Sequence, residues 1–264
     1  MLLILLGLSM VVPSVPAAHA AAGTAPGLGT AASYAIFGAA GVTNNVASPT
    51  HIWGNVGADL LASITNLDDA TQVDGTIIAP TPAQLLTDIT TAYNALASQQ
   101  PGTTISLSGP AVTVTPGVYT VSAAETLNGT VTLDGAGVYI FGSDSAFTVG
   151  NGAKVLLTNG ATACNVFWQI PSAMTIGTTA EMVGTIITNS EAITLNTSAT
   201  LQGRALFEGR RSDVIEQPNH RAHMCRGRCI DCSIWSNAAT RPDQRDKNTG
   251  AFGTARTGIS DLYL

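Results

Sequence analysis

The chain has 264 residues, of which 45% are hydrophobic and only 11% are charged, and its formal net charge is −6. This acidic balance argues against a nucleic-acid partner, because such a partner requires a basic surface opposite its phosphates. Residues 1–203 contain ten acidic side chains and a single basic one, Lys154, whereas residues 204–264 contain seven acidic and ten basic side chains. We expect a domain boundary near this change in charge.

Residues 1–20 are typical of a secretory signal peptide. An apolar run over residues 2–8 is followed by Ala18-His19-Ala20, an A-x-A cleavage pattern. The run is too short for a membrane span, and no other stretch of about 18 apolar residues follows it. We therefore expect a secreted, extracellular protein that starts near Ala21 and has no membrane span.

One segment predicts a helix over about residues 82–98. Thr81 is expected as the N-cap, Pro82 as the first helical residue and Gln84 as the closing residue of a capping box. An apolar stripe at helical spacing follows, formed by Leu85, Ile89, Tyr93 and Leu96. Such a stripe requires a partner surface.

An internal repeat is the most informative feature of the chain. Residues 174–184 and 193–203 share one pattern at an offset of 19, and residues 147–155 fit it one unit earlier at an offset of 27. A period near twenty is typical of a β-solenoid, in which each coil stacks on the next. Three strand classes recur. The first comprises residues 118–119, 138–141, 166–168, 185–187 and 204–206. The second comprises residues 127, 147–149, 174–176 and 193–195, and the third comprises residues 131–133, 154–156, 181–183 and 200–202. Three strands per coil predict a triangular cross-section.

Alternation along the second strand class predicts a flat outward face of methyl and hydroxyl groups. Residues 125–128 are aligned with 145–148 as a further rung, and residues 40–43 have the same shape. The candidate binding residues are Gly41, Thr43, Thr126, Asn128, Ser145, Ala146, Thr148, Ser172, Ala173, Thr175, Ala192 and Thr194. Outward positions would repeat at about 6.6–6.8 Å along a strand and about 4.8 Å between strands, close to water–water repeats in ice. Threonine is also common in strands for steric reasons alone.

Six segments together resemble the DUF3494-type ice-binding proteins of cold-living microbes. They are residues 28–31, 34–36, 113–119, 127–135, 163–169 and 193–196, and the resemblance covers about residues 27–207. It implies an all-β fold, namely a right-handed, discontinuous β-solenoid of triangular cross-section with one long α-helix packed along its side. It also implies a flat face with loosely kept T-A/G-x-T/N segments, which 40–43, 145–148 and 172–175 approximate. Glu125 and Glu191 depart from that motif and place charges near the edge of the face.

The resemblance implies a secreted protein that adsorbs to ice crystal surfaces, inhibits recrystallisation and produces thermal hysteresis. We expect a monomer without cofactor or metal. A carbohydrate-active enzyme would need converging carboxylates, whereas the aspartates here are scattered over turns, so we expect no enzyme. The alternative is a cell-surface adhesion or polysaccharide-binding module. Exposed aromatic rings would favour it, but Tyr119, Tyr139 and Trp168 fall in core strands. As to an enzyme, His51 beside Trp53 is interpreted as structural rather than catalytic.

The resemblance ends after Phe207, where the chain becomes basic. Residues 208–264 contain potential zinc ligands, but without the paired CxxC spacing of a strong site. These ligands are His220, His223, Cys225, Cys229 and Cys232. A zinc site, a disulfide-linked or disordered appendage and a frameshifted reading frame remain open. We expect the solenoid domain to span residues 21–207, and Cys164 to be a buried thiol.

Overall fold

The computed structural model describes residues 20–44, 51–68, 70–122 and 125–209, together with the backbone of residues 221–223. This part of the chain forms one α-helix, α1 (Ala83–Ala97), and many short strands. In chain order the strands are β1 (Tyr34–Gly38), β2 (Val42–Thr43), β3 (His51–Trp53), β4 (Asn55–Ala58), β5 (Ile64–Thr65), β6 (Ile77–Ile78), β7 (Thr103–Ile105), β8 (Ala111–Val114), β9 (Gly117–Val121), β10 (Thr126–Leu127), β11 (Thr130–Asp134), β12 (Tyr139–Ser143), β13 (Phe147–Val149), β14 (Lys154–Thr158), β15 (Val166–Ile170), β16 (Met174–Ile176), β17 (Glu181–Thr188), β18 (Ile193–Leu195), β19 (Thr200–Phe207) and β20 (Arg221–His223).

The described strands pair in parallel and form the three faces of a triangular solenoid. Face A has the order β6-β4-β1-β19-β17-β15-β12-β9-β7. Face B consists of two ladders, β10-β13-β16-β18 and β2-β5. Face C has the order β8-β11-β14-β17-β19-β20-β3. The long strands β17 and β19 turn from face C into face A at the stacked glycines Gly184 and Gly203.

The solenoid is discontinuous, as the resemblance implies. On face A, β1 from the amino-terminal part lies between β19 and β4, and Ile36 pairs with Ala205. On face C, β20 lies between β19 and β3, with Ala222 paired to both Leu201 and Ile52. The amino-terminal coils therefore stack beyond the carboxy-terminal coils. The three predicted strand classes are confirmed as faces A, B and C.

Helix α1 packs on the outside of face A. Its side chains Leu85, Ile89, Ala92, Tyr93 and Leu96 are buried, which confirms the predicted stripe. They pack against the outward side chains of face A, namely Val118, Ile140, Phe167, Ile187 and Leu206. Face A is therefore apolar on both sides, because the helix covers one and the solenoid core the other.

The predicted capping box is wrong. Pro82 is the N-cap residue, and no side chain caps the amino terminus of α1. The Thr81 hydroxyl donates instead to Asp59 Oδ1 over 3.4 Å, and Gln84 Nε2 donates to Asp88 Oδ1 over 2.8 Å. The Pro82 carbonyl accepts a hydrogen bond from Leu85 N over 2.9 Å, so the first turn closes through the backbone alone.

A stacked aromatic column fills the centre of the solenoid. The ring centroids of Tyr119 and Phe141 lie 5.6 Å apart, those of Phe141 and Trp168 4.3 Å apart, and those of Phe147 and Trp168 5.7 Å apart. Trp168 satisfies its indole N–H by donating to the carbonyl of Val183 over 2.9 Å. Cys164 is buried, as expected. This rigid interior supports the strands from which the outward side chains project.

The chain stays on the solenoid for two residues beyond Phe207. Glu208 N donates to the carbonyl of Thr188 over 2.9 Å, and Glu208 Oε1 accepts a hydrogen bond from the Thr90 hydroxyl over 2.7 Å. The backbone of His223 belongs to β20. The other potential zinc ligands, His220, Cys225, Cys229 and Cys232, lie outside the described residues, as does most of the expected signal peptide.

Within the ranges that the structure describes, the helices are not long and apolar enough to cross a membrane.

Candidate functional site

The three faces of the solenoid differ in what they present to the surroundings. On face A the outward apolar side chains, which include Tyr34 and Phe37 of β1, form one buried cluster with α1 and Ala31. Face A therefore has little surface left for an extended external partner.

Face C exposes charged and bulky side chains. Lys154 Nζ and Glu181 Oε1 form an ion pair at 2.5 Å on adjacent strands. Leu156 is 41% exposed and lies in register with Thr132. These projecting groups make face C uneven and locally charged.

Face B carries a continuous column of threonines. Thr126 pairs in register with Thr148, Thr148 with Thr175, and Thr175 with Thr194. All four side chains are partly or fully exposed. The alternating positions of the same strands, such as Phe147, Met174 and Ile193, are buried. The predicted inward and outward assignment is therefore the one seen in the structure for these strands.

A second column of small side chains accompanies the threonines. Ala146, Ala173 and Ala192 are partly exposed, two positions before Thr148, Thr175 and Thr194. The carbonyl of Ala173 accepts from Phe147 N over 2.9 Å, and that of Ala192 accepts from Met174 N over 3.1 Å, so these segments continue the same ladder. Ser145 and Ser172 are partly exposed at the start of their segments.

The alignment of residues 125–128 with 145–148 is wrong by two residues. Thr126 lies beside Thr148, and Leu127 lies beside Val149 rather than Phe147. Asn128 therefore lies beyond the end of the threonine column, level with Gly150, and is exposed. A shift of two residues keeps every side chain on the same side of the strand, so the hydrophobic pattern did not discriminate between the two registers.

The amino-terminal part supplies a shorter ladder of the same kind. Thr43 of β2 pairs with Thr65 of β5, and both are partly exposed. Gly41 has φ +154°, and a Cβ there would lie 2.6 Å from the carbonyl oxygen of Ser63, so glycine allows the two coils to stack. Thr65 was missed by the sequence analysis. Its signal is the segment Ala62-Ser63-Ile64-Thr65, which has the same small-small-apolar-Thr shape as residues 145–148.

Among the described residues, no face B strand lies between β18 and β2. The coil at this place contributes the end of β19 to face A and β20 to face C. The residues that connect these two strands, 210–220, lie outside the described part. Face B is thus described as two separate ladders, one of four strands and one of two.

The acidic side chains near face B lie at its edge. Glu125 Oε1 accepts hydrogen bonds from the backbone amides of Leu107 at 2.6 Å and Ser108 at 3.0 Å, so its carboxylate is bound to the segment that follows β7. Glu191 and Asp144 are exposed at the corner between faces A and B. The outward centre of face B consists of threonine and alanine side chains and is neutral.

Comparison with known proteins gives a consistent set of relatives. Residues 36–210 match the family model described as Ice-binding-like. An ice-binding protein of Nostoc sp. (strain HG1) is 37% identical over 191 residues, which are 69% of this chain and 68% of the relative. A crystal structure of an ice-binding protein from an Antarctic bacterium of the Flavobacteriaceae superposes with a TM-score of 0.69 at 31% identity, covering 80% of this chain and 51% of that one. This chain therefore spans about half of that protein. A crystal structure of an ice-binding protein from an Antarctic biological consortium gives a TM-score of 0.65 at 32% identity, covering 81% of this chain and 95% of that one.

Proposed function

Because this chain belongs to the Ice-binding-like family, we propose that it binds ice and that it adsorbs to ice crystal planes through face B. The observation that carries this proposal is the in-register column Thr126, Thr148, Thr175 and Thr194 on an outward surface whose centre is neutral. The accompanying alanine column and the pair Thr43–Thr65 enlarge the same surface.

The spacing of this surface suits a crystalline water lattice. Outward positions repeat at about 4.8 Å across strands and at about 6.6–6.8 Å along them. Threonine is β-branched, so its χ1 angle is restricted before any contact is made, and little side-chain entropy is lost on adsorption. A charged side chain at the centre would have to give up hydration when it met the uncharged crystal, which is unfavourable. The edge positions of Glu125, Glu191 and Asp144 agree with this argument.

The consequences of adsorption follow from blocked growth. A molecule held on a crystal plane prevents water from joining at that place, so we expect inhibited recrystallisation and thermal hysteresis. Such a protein acts where ice forms outside the cell, which fits the expected signal peptide. We propose that it acts as a secreted monomer, without cofactor and without catalysing a reaction.

The direct test uses purified residues 21–264 at micromolar concentration. We expect growing ice crystals to be faceted, and the grains in a frozen sucrose solution to coarsen more slowly than in buffer. Round, unshaped discs together with unchanged grain growth would contradict the proposal. Lysozyme at equal concentration serves as the control for unspecific protein effects.

A further inference from the structure

The segment that follows β7 lies against β10 and adds a rung to face B. Residues 106–108 form no strand of their own, but the carbonyl of Leu107 accepts a hydrogen bond from Asn128 N over 3.2 Å. At the step from β10 to β13, the carbonyl of Leu127 accepts in the same way from Gly150 N over 2.8 Å, and Gly150 is the residue after its register partner. Because Asn128 is the residue after Leu127, the backbone pairs Leu107 with Leu127. Both leucines are fully buried in the solenoid core.

Ser106 takes the position of the threonine column on this rung. It precedes Leu107 as Thr126 precedes Leu127, so Ser106 and Thr126 lie beside each other at about the 4.8 Å separation of neighbouring strands. Side chains alternate along an extended segment, and Ser106 is exposed where Leu107 is buried. The outward hydroxyl column of face B therefore has a fifth position, next to Thr126.

The Glu125 carboxylate holds this segment in place. Its Oε1 accepts hydrogen bonds from the Ser106 hydroxyl at 2.5 Å, from Leu107 N at 2.6 Å and from Ser108 N at 3.0 Å. The hydroxyl oxygens of Ser106 and Ser108 lie 2.9 Å apart. A charged acceptor makes such bonds stronger than a neutral one does. One side chain thus fixes both the backbone of the rung and the direction of the Ser106 hydroxyl.

On the basis of the function proposed for face B, we infer that Ser106 is a further ice-contacting residue and that Glu125 is its positioning residue. A hydroxyl at the column spacing continues the adsorbing surface by one repeat. Serine is not β-branched, so its χ1 angle is less restricted than that of threonine. The bond to Glu125 supplies this missing restriction, and little side-chain freedom is then lost on adsorption. The charge at Glu125, which departs from the T-A/G-x-T/N pattern, thereby completes the surface.

The first test compares Ser106→Tyr with Thr113→Tyr in residues 21–264. Both side chains are exposed, and Thr113 lies in β8 on face C, a few residues after Ser106. We expect Ser106→Tyr to lower the thermal hysteresis, though less than Thr175→Tyr near the middle of the column, and Thr113→Tyr to leave it unchanged. The melting temperatures of the two variants should stay close to that of the unmodified protein, because both side chains are exposed.

The second test concerns the positioning role of Glu125. Glu125→Ala removes the acceptor, so the amide protons of Leu107 and Ser108 should exchange faster with solvent and the thermal hysteresis should fall. Glu125→Gln keeps a side-chain oxygen at the same reach and should retain more hysteresis than Glu125→Ala. Added to Ser106→Tyr, Glu125→Ala should cause little further loss, because both substitutions disable the same rung.

The outcomes separate this inference from the function proposed for face B. Unchanged hysteresis in Ser106→Tyr, in a protein that shapes ice, overturns the inference and leaves the threonine column as the binding surface. An equal loss in Thr113→Tyr overturns it too, because the effect would then not belong to face B. A full additional loss from Glu125→Ala in the double variant overturns the positioning role. If the unmodified protein does not shape ice, the function proposed for face B fails, and this inference fails with it.

Discussion

At the scale of single residues, Thr175 occupies the centre of the described threonine column, with Thr148 and Thr194 on the adjacent strands. Adsorption to a flat crystal plane depends on many weak contacts made at the same time. One bulky side chain at the centre therefore lifts its neighbours away from the plane and removes more contact than its own area. The same substitution at the end of the column should have less effect.

We predict that Thr175→Tyr abolishes most ice-shaping activity. The free energy of unfolding should change by no more than about 0.5 kcal/mol, because the threonine side chain points outward. The matched control is Thr132→Tyr in β11 on face C, also a partly exposed mid-strand threonine. If Thr132→Tyr removes activity and Thr175→Tyr does not, ice binding belongs to face C. Thermal hysteresis and a urea titration measure the two effects separately.

A second prediction at this scale concerns Asp88. Hydrogen bonds from the Thr30 hydroxyl and the Thr30 amide, both 2.7 Å, and from Gln84 lower the pKa of the Asp88 carboxyl. A carboxyl whose pKa is lower in the folded than in the unfolded state stabilises the fold above its unfolded pKa and loses that contribution as the pH falls. We therefore expect the melting temperature to fall below about pH 4. We expect Asp88→Asn to have a lower melting temperature at pH 7 and a weaker dependence of the melting temperature on pH. If the melting temperatures of both proteins changed equally with pH, Asp88 would not be the group responsible.

At the scale of elements, the corners between strands decide how closely the coils stack. Gly184 has φ +104°, and a Cβ there would lie 2.6 Å from the Val166 carbonyl oxygen. Gly27 has no atom within 4 Å of such a Cβ. We predict that Gly184→Ala lowers the free energy of unfolding by about 1–3 kcal/mol or more, through backbone strain and the clash. Gly27→Ala should stay within about 0.5 kcal/mol. Urea unfolding of both variants checks this, and equal stabilities would mean that the corner adapts.

Most of the elements were predictable from the sequence because their signals are redundant. The offsets of 19 and 27 residues place Met174 on Ile193 and Phe147 on Met174, and both pairs are in register in the structure. The register of β10 is harder to predict, because only Thr126 and Leu127 pair with β13. Leu127 is buried whether it lies beside Phe147 or beside Val149. Thr65 lies in a strand of two residues that follows two exposed leucines, so the short segment of residues 62–65 is a weak signal for it. The helix start was misassigned because a local motif does not reveal that Asp59 competes for the Thr81 hydroxyl.

The outward position of Trp53 was also accessible to the alternation rule, since Ile52 lies between two larger polar or amphipathic side chains. The proximity of Asp74, whose Oδ2 lies 3.2 Å from His51 Nε2, was not predictable, because its segment meets β3 through an isolated bridge between Ile52 and Val73 rather than through a repeat. Contacts of this kind depend on the order in which coils stack. That order is set by the whole fold and not by any short segment.

At the scale of the whole molecule, β20 connects two parts of the chain that are distant in sequence. Its backbone pairs with β19 on one side and with β3 on the other. We predict that truncation after residue 209 lowers the melting temperature by at least about 2–4 °C, because both neighbouring strands lose a partner. Ice shaping should persist near 0 °C, since the four-strand ladder remains. An unchanged melting temperature would mean that β20 adds no stability, and loss of ice shaping in a folded truncated protein would place the binding surface beyond residue 209.

The zinc hypothesis for the tail has its own test. The spacing of His220, His223, Cys225, Cys229 and Cys232 lacks the paired geometry of a strong site, so we expect no stoichiometric zinc after dialysis against a weak chelator. Zinc that is retained in the unmodified protein and lost in Cys229→Ser would show that expectation wrong. Atomic absorption measures it directly.

The pairing of β1 with β19 has a consequence for how the chain folds. An ordinary solenoid can grow coil by coil from its amino terminus as synthesis proceeds, because each coil needs only its predecessor. Here β1 has one neighbour, β4, close in sequence, but its other neighbour is β19, so Ile36 can pair with Ala205 only after nearly all of the solenoid has been synthesised. Contacts of such long sequence separation slow folding, since the chain must close a large loop before the contact is gained. Until that closure, β1 and β19 both present open strand edges, and in this interval the chain is most exposed to aggregation.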